Sequence, residues 1–499
     1  MPSFKPPIAV VERAKHSWSW ILGTFGLVVV LGTVEAIAPD SIVSIFNRGL
    51  TDLVTRLDAL FFAEVFRVPL VILWLSLGSL LLTLRLGFIN IWGVRHGLRL
   101  LFDSFRTPSK PGEVTSFQAL SMALAATVGL GNIAGVAVAI QLGGPGAVFW
   151  MTLAAFFGMS HKFVESALAQ TYRKALPSGR ILGGPMYYLR DGLADLGWPR
   201  AGRWMSGAFA LLCLASALGS GSMFQTTQAY AAVRDLWPMP IWVFAPLLVG
   251  ALALTILGGI RRIAAVSSKL VPLMAGLYLA ATLWVLSQHL SDIPAAIGAI
   301  AQGVVSPAAA ISGGAIGVLV QGLRRAAFSN EAGMGSSAMA HVAARTSHPV
   351  QEGFVALLEP AIDTVVICNL TAFVILVTGS HELGLEGVEI TLAAFGQHVD
   401  WFPGVLAIAT VLFAFSTALA WSYYGEQCWS YLSGARYLQL YRVLFLIVTL
   451  LGCFGDDLQT VVDFSDMMFF AMAFPNALGC VLLSGRVARD MRSYWAQAR

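Results

Sequence analysis

Two groups of residues in this chain have the types and spacing to bind ions and small zwitterions. The first is Thr127, Gly129, Gly131 and Asn132, within Leu124-Ala-Ala-Thr-Val-Gly-Leu-Gly-Asn-Ile-Ala-Gly135. The second is Phe328, Ser329, Asn330, Glu331, Ala332 and Gly333, within Ala327-Phe-Ser-Asn-Glu-Ala-Gly-Met-Gly-Ser336. Both sit midway along apolar stretches. Each glycine costs a helix interior about 1 kcal/mol relative to alanine, so Gly129, Gly131 and Gly135 together predict unwinding. Unwound backbone inside a bilayer is tolerated where it lines a cavity or site. Exposed amides at a half-helix N-terminus favour an anion such as a carboxylate, and exposed carbonyls favour a cation. The expected chemistry is recognition of a zwitterion and a hard cation, with no bond made or broken. Gly131 and Gly135 also fit GxxxG helix packing. Packing alone does not account for a second break carrying an asparagine and a glutamate.

Other segments offer further oxygen ligands. Ser416 and Thr417 are adjacent hydroxyls in Phe413-Ala-Phe-Ser-Thr-Ala-Leu-Ala-Trp-Ser-Tyr-Tyr424, and hard cations prefer oxygen donors. Taken alone, each hydroxyl equally suits a back-bond to the preceding helical turn. Asp363 and Thr364 lie inside another helix and can supply charge to the same region. Glu331 is a coupling candidate because an ionisable group at membrane depth is costly to keep. With Arg324 and Arg325 less than two turns before it, Glu331 also suits a structural ion pair. Gln225 follows Gly219 and Gly221 and suits either the site or a plain interhelical hydrogen bond.

These groups need a membrane scaffold. Of 499 residues, 57% are hydrophobic and 12% charged, against roughly 25% charged in soluble domains. No stretch is left for a soluble catalytic domain. The polar connections at 90–116 and 173–203 are read as basic loops too short to fold alone. The five cysteines fall singly in apolar segments, which indicates neither a disulfide framework nor a zinc motif. The eight histidines show no helical i, i+4 pair, against a haem-binding bundle.

Apolar runs of about 20 residues, enough to cross a bilayer, predict about twelve membrane helices. They cover 19–38, 66–88, 116–141, 145–171, 203–231, 239–258, 267–288, 312–343, 352–379, 401–427, 438–455 and 459–484. The run at 19–38 follows Lys5, Arg13 and Lys15 but is long for a signal peptide, and is read as a retained helix. Arginine and lysine alternate between loops. Arg95, Arg99 and Arg106, then Arg173, Arg180 and Arg190, then Arg261, Arg262 and Lys269 fall on one side, whereas 289–311 and 380–400 carry no Lys or Arg. The positive-inside rule then places both termini in the cytoplasm. The expected domains are an N-terminal extra helix and loop (1–65), a further helix and basic loop (66–115), two five-helix units (116–288 and 312–484) and a basic tail (485–499). The second unit starts on the opposite side from the first. This is an all-α membrane protein with a 5+5 inverted repeat, each unit led by its broken helix.

The residues also resemble a known family. Thr127-Val-Gly-Leu-Gly-Asn-Ile-Ala-Gly135, Gly143-Gly-Pro-Gly-Ala-Val-Phe-Trp150, Phe163-Val-Glu-Ser166, Gly183-Gly-Pro-Met-Tyr-Tyr188, Phe328-Ser-Asn-Glu-Ala-Gly-Met-Gly335 and Phe415-Ser-Thr417 with Trp421-Ser-Tyr-Tyr-Gly425 resemble the alanine/glycine:cation symporters. The likeness runs over about 66–485. It implies a LeuT-type fold and Na⁺-driven uptake of small neutral amino acids. It further implies a sodium ion among the carbonyls of Ala125 and Val128 and the hydroxyls of Ser416 and Thr417. The substrate carboxylate would face Gly129–Asn132, and its ammonium the carbonyls of Phe328–Ala332. Gly and Pro usually flank the second break in that family. Here Ala326 and Ala338 stand in their place, which implies a shorter unwound stretch.

The expected function is symport of Na⁺ with alanine, glycine or a similar amino acid across the inner membrane. Trp421, Phe224 and Phe328 would bound the pocket. The partners are a small amino acid, sodium and lipid, with no nucleic acid, no obligate protein partner and no cofactor beyond the coupling ion. Proton coupling through Glu331 or Asp363, or a non-transporting amino-acid sensor, are the alternatives. An enzyme is not expected, since no nucleophile–base or metal-ligand constellation is present.

Overall fold

The computed structural model describes residues 63–65, 68–105, 112–129, 131–177, 179–234, 237, 239–304, 314–397, 402–434, 436–454 and 458–497. The helix expected at 19–38 and the rest of the domain 1–65 fall outside them, apart from residues 63–65. Each apolar segment expected beyond residue 65 contains helix among its described residues. Among the described residues, six helices are long and apolar enough to cross a membrane: Ala147–Thr171, Pro199–Arg234, Gly259–Gln288, Pro349–Val377, Gly404–Ser433 and Asp463–Gln497. Two bent pairs raise the number to as many as eight if each pair is one span: Leu70–Arg85 with Ile89–Asp103, bent by 76°, and Ser116–Thr127 with Gly131–Gly143, bent by 54°. Ile241–Ile256 and Leu438–Cys453 are shorter apolar helices. The protein is a multi-pass, all-α membrane protein.

The connections are more ordered than their polarity suggests. Residues 90–116, expected as loop, contain the helix Ile89–Asp103. Its small residues Gly93 and Gly97 let it lie against Phe354 of the helix Pro349–Ala356 and Leu357 just beyond that helix, where a methyl at Gly97 would meet the Phe354 carbonyl at 2.2 Å. The segment 173–203 holds a short antiparallel hairpin, Lys174–Ala175 with Ile181–Leu182, followed by helical turns. Tertiary burial fixed these pieces, and local polarity did not reveal it.

The first broken helix starts from a full capping box. The Thr115 hydroxyl accepts from the Gln118 amide, and the Gln118 side chain accepts from the Thr115 amide. It stops at Thr127, where Val128 turns extended (φ −74°, ψ 105°). The chain resumes as a π-helical turn over Gly131–Gly135 and then as Val136–Gly143. Its counterpart runs over Gly314–Asn330, breaks, and resumes for one turn at Ala338–His341. Across this second break φ is positive at Glu331 (56°), Gly333 (90°) and Gly335 (82°). Left-handed backbone is costly for a residue with a Cβ, so its presence at Glu331 marks a position held in place by its surroundings.

Candidate functional site

The two breaks meet. A methyl added at Gly131 would lie 3.2 Å from the Ser329 Cα, so glycine is what allows the first break to approach the second. Beside this contact is a small cavity. It is lined by Thr127, Gly129 and Gly131 from the first break, Phe328 and Glu331 from the second, and Thr417 and Trp421 from the long helix Phe402–Ser433. Ser220, Phe224 and Gln225 close one side. They are positioned by a π-helical turn at Gly219–Met223, where a methyl at Gly221 would collide with Trp421 at 2.3 Å. Phe469 completes the wall. The rings stack along it: Phe224 against Phe328 (6.1 Å between centroids), Phe328 against Phe469 (5.5 Å), and Phe469 against Trp421 (6.0 Å).

Of the expected ion ligands, Thr417 lines this cavity. The Thr417 hydroxyl donates to the Ala125 carbonyl at 2.9 Å, across helices distant in sequence. Ser416 behaves differently: its hydroxyl makes the local back-bond to the Phe413 carbonyl at 2.9 Å. Val128 lies three residues after Ala125, at the point where the helix opens.

Asn132, Ser329 and Asp363 form a buried polar knot behind the cavity. Asn132 accepts the Gly129 amide at 2.7 Å through Oδ1, which satisfies a donor exposed by the break. Its Nδ2 reaches the Asp363 carboxylate at 2.7 Å and the Ser329 hydroxyl at 3.3 Å. Ser329 and Thr364 each donate to the other Asp363 oxygen at 2.7 Å. Asp363 therefore accepts three hydrogen bonds and ties the two breaks together. Gln225 uses Nε2 locally, donating to the Ser220 carbonyl at 3.0 Å.

Three expected site residues fall elsewhere. Asn330 bonds Thr364 and its Oδ1 accepts the Ala332 amide at 3.0 Å. Asn330 and Ala332 face a separate apolar groove beside Leu75, Trp150 and Leu323. Gly333 gives its carbonyl to Asn476 Nδ2 at 2.8 Å, away from the cavity. The break turns so sharply after Glu331 that only its first residues face the first break. Arg324 pairs with Asp466 at 2.9 Å, and the Glu331 carboxylate accepts from the Ser336 hydroxyl.

A charged network supports the second break from below. Lys162, on Ala147–Thr171, donates to Glu359 at 2.8 Å and to Ser337 at 2.7 Å. Glu359 also meets His341 Nε2 at 2.5 Å, and His341 Nδ1 meets Glu352 at 2.8 Å. Glu352 accepts from Ser116 at the start of the first broken helix, at 2.8 Å. Lys162, Glu359, His341 and Glu352 are all completely buried. Breaking such a pair from one side costs about 3–5 kcal/mol, because it strands a buried charge. Sequence reasoning passed over these residues. The signal was present, since Lys162 and Glu359 are ionisable groups inside apolar runs, as Glu331 is.

The sequence matches the sodium:alanine symporter family over residues 51–499. It is 39% identical over 426 residues to the sodium/alanine symporter AgcS of Methanococcus maripaludis, covering 84% of this chain and 93% of that one. It is 36% identical to the probable sodium/glutamine symporter GlnT of Bacillus subtilis, covering 86% and 88%. It is 34% identical to the putative sodium/proton-dependent alanine carrier YrbD of the same organism, covering 81% and 86%. These relatives are named as transporters, not enzymes.

Proposed function

The chain belongs to the sodium:alanine symporter family, and on that premise we propose that it couples Na⁺ entry to uptake of a small neutral amino acid across the cytoplasmic membrane. The observation that carries this reading is the contact of the two breaks around a small cavity holding Thr127, Gly129, Gly131, Phe328, Glu331 and Thr417. Na⁺ takes the carbonyls of Ala125 and Val128 with the Thr417 hydroxyl, and Ser416 joins after turning from its back-bond. The substrate carboxylate lies against the opened backbone of Gly129–Gly131. Its ammonium lies by Glu331 and the carbonyls that end the helix at Phe328–Asn330, where the helix dipole is negative. The rings of Phe224, Phe328, Phe469 and Trp421 leave room for a methyl-sized side chain and favour alanine or glycine over larger substrates.

Coupling follows from shared structure. Na⁺ at Ala125 and Val128 fixes the residues leading into the amides that hold the carboxylate, so each ligand raises the affinity of the other by the same factor. The paired broken helices support a LeuT-type 5+5 inverted repeat with alternating access. The charge asymmetry of the loops supports cytoplasmic termini. A second reading, proton coupling, rests on Glu331 and Asp363 being buried carboxylates at the contact of the breaks.

The test is uptake of labelled L-alanine and glycine into proteoliposomes, with and without an inward Na⁺ gradient, at matched pH and potential. Accumulation only with the Na⁺ gradient is expected. Accumulation that ignores Na⁺ and follows a pH gradient selects the second reading, and no accumulation of either substrate overturns both.

A further inference from the structure

Away from the cavity, on the far side of the second break, His161, Glu165 and Cys480 bring their ligand atoms within 4.8 Å of one another, all buried. His161 and Glu165 are one turn apart on Ala147–Thr171 and so share a face. Cys480 comes from Ala473–Gln497. His161 Nδ1 is bonded to Ser79 Oγ at 2.8 Å, while its Nε2 has no protein partner. Glu165 Oε1 accepts from Asn476 Nδ2 at 2.7 Å, while its Oε2 has none. Cys480 Sγ makes only long contacts, to Asn476 Oδ1 at 3.9 Å and the Tyr188 hydroxyl at 3.8 Å, while His161 and Glu165 are each held by one atom and each leaves a second, fully buried polar atom unsatisfied. Such atoms are costly, and each calls for an explanation.

We propose that His161, Glu165 and Cys480 form a site for a divalent transition metal, zinc by donor chemistry, that clamps the second break. Mixed nitrogen, carboxylate and thiolate donors suit Zn²⁺ and do not suit Na⁺. Zinc bonds of about 2.0–2.3 Å require the three residues to close slightly around the ion. The Ser79 contact orients the histidine through its other nitrogen, the usual support of a metal-bound imidazole. The charges balance: Zn²⁺ with one thiolate and one carboxylate is neutral, which the buried setting demands. Binding releases the Cys480 proton to solvent. The neighbouring Lys162 ammonium is already committed to Glu359 and Ser337.

The site reaches the transport machinery through Asn476. That side chain bonds both Glu165 and the Gly333 carbonyl, at 2.7 and 2.8 Å, and lies one helical turn from Cys480. Metal bound to Glu165 and Cys480 immobilises Asn476, and with it the second break. Zinc is therefore expected to inhibit transport.

The test uses the full-length protein in detergent, with binding read independently of transport. Cobalt(II), as the zinc surrogate, is titrated and followed by absorption, and zinc content is measured after desalting. One metal per chain with a thiolate-to-cobalt charge-transfer band is expected. Cys480→Ser abolishes the band, and Cys480→Ser and His161→Gln each weaken zinc binding at least about tenfold. Zinc inhibits uptake by the wild type and spares Cys480→Ser, whose uptake without zinc confirms that it is folded. No band in the wild type overturns the proposal, and so does zinc binding that both variants leave unchanged. In the first case the two free atoms share a proton or a water.

Discussion

The two breaks satisfy the backbone groups they release from helix pairing in different ways. The first is neutral. It opens over a few residues, and a single side chain, Asn132, caps the Gly129 amide and anchors the turn to Asp363. The second carries charge and strain: Glu331 sits at φ 56°, with Lys162 beneath it on Ser337 and Asn476 on its Gly333 carbonyl. A neutral, lightly held break presents carbonyls and amides that adjust to an ion. A charged break needs rigid support, because a buried carboxylate without partners is expensive. This difference fits the proposed division of labour, in which the first break serves Na⁺ and the substrate carboxylate and the second serves the ammonium.

The largest expected effect comes from removing the charge of the second break. Glu331→Gln keeps the shape and loses the partner proposed for the ammonium, and should lower L-alanine uptake at subsaturating substrate at least about 100-fold, as loss of one member of a buried charge pair costs about 3–5 kcal/mol. Uptake within a few-fold of wild type would mean that Glu331 does not meet the substrate. Next comes the support. Lys162→Met strands Glu359 and should both depress uptake and lower the thermal midpoint of the detergent-solubilised protein, where Asn132→Ala, which breaks only neutral contacts and one link to a carboxylate, lowers it by less.

The ion site sharpens the comparison further. Thr417→Ala should raise the Na⁺ concentration for half-maximal uptake about tenfold, the effect of losing roughly 1.4 kcal/mol of ligand energy. Ser416→Ala should raise it less, because the Ser416 hydroxyl faces the Phe413 carbonyl. The double variant should exceed either. Wild-type Na⁺ dependence in the double variant would displace the ion site from the first break. The smallest effect is on selectivity: Phe328→Leu should improve glutamine uptake relative to alanine by a few-fold, about the discrimination that apolar wall contacts supply.

Much of this was legible in the sequence for a physical reason. Glycine clusters in apolar runs are costly unless they unwind, so both breaks are legible from residue types alone, whereas the pairing of Ala125 with Thr417 came only with the family resemblance. What stayed hidden depended on direction. Nothing in Asn330-Glu-Ala-Gly333 tells which side chain faces the first break, because the left-handed turn at Glu331 reverses the chain there. The separate roles of Ser416 and Thr417 likewise depend on helix rotation. The network of Lys162, Glu359 and His341 joins segments distant in sequence, so nothing local to any one of them shows its partners. The helix Ile89–Asp103 was read as loop because its burial comes from Phe354 and Leu357, distant in sequence.

The most direct measurement is equilibrium binding of labelled L-alanine to the purified protein across a Na⁺ series, paired with Na⁺ binding across an alanine series. The account predicts that Na⁺ tightens alanine binding, that alanine tightens Na⁺ binding by the same factor, and that Thr417→Ala shrinks both. Alanine affinity that is indifferent to Na⁺ and follows pH would contradict it.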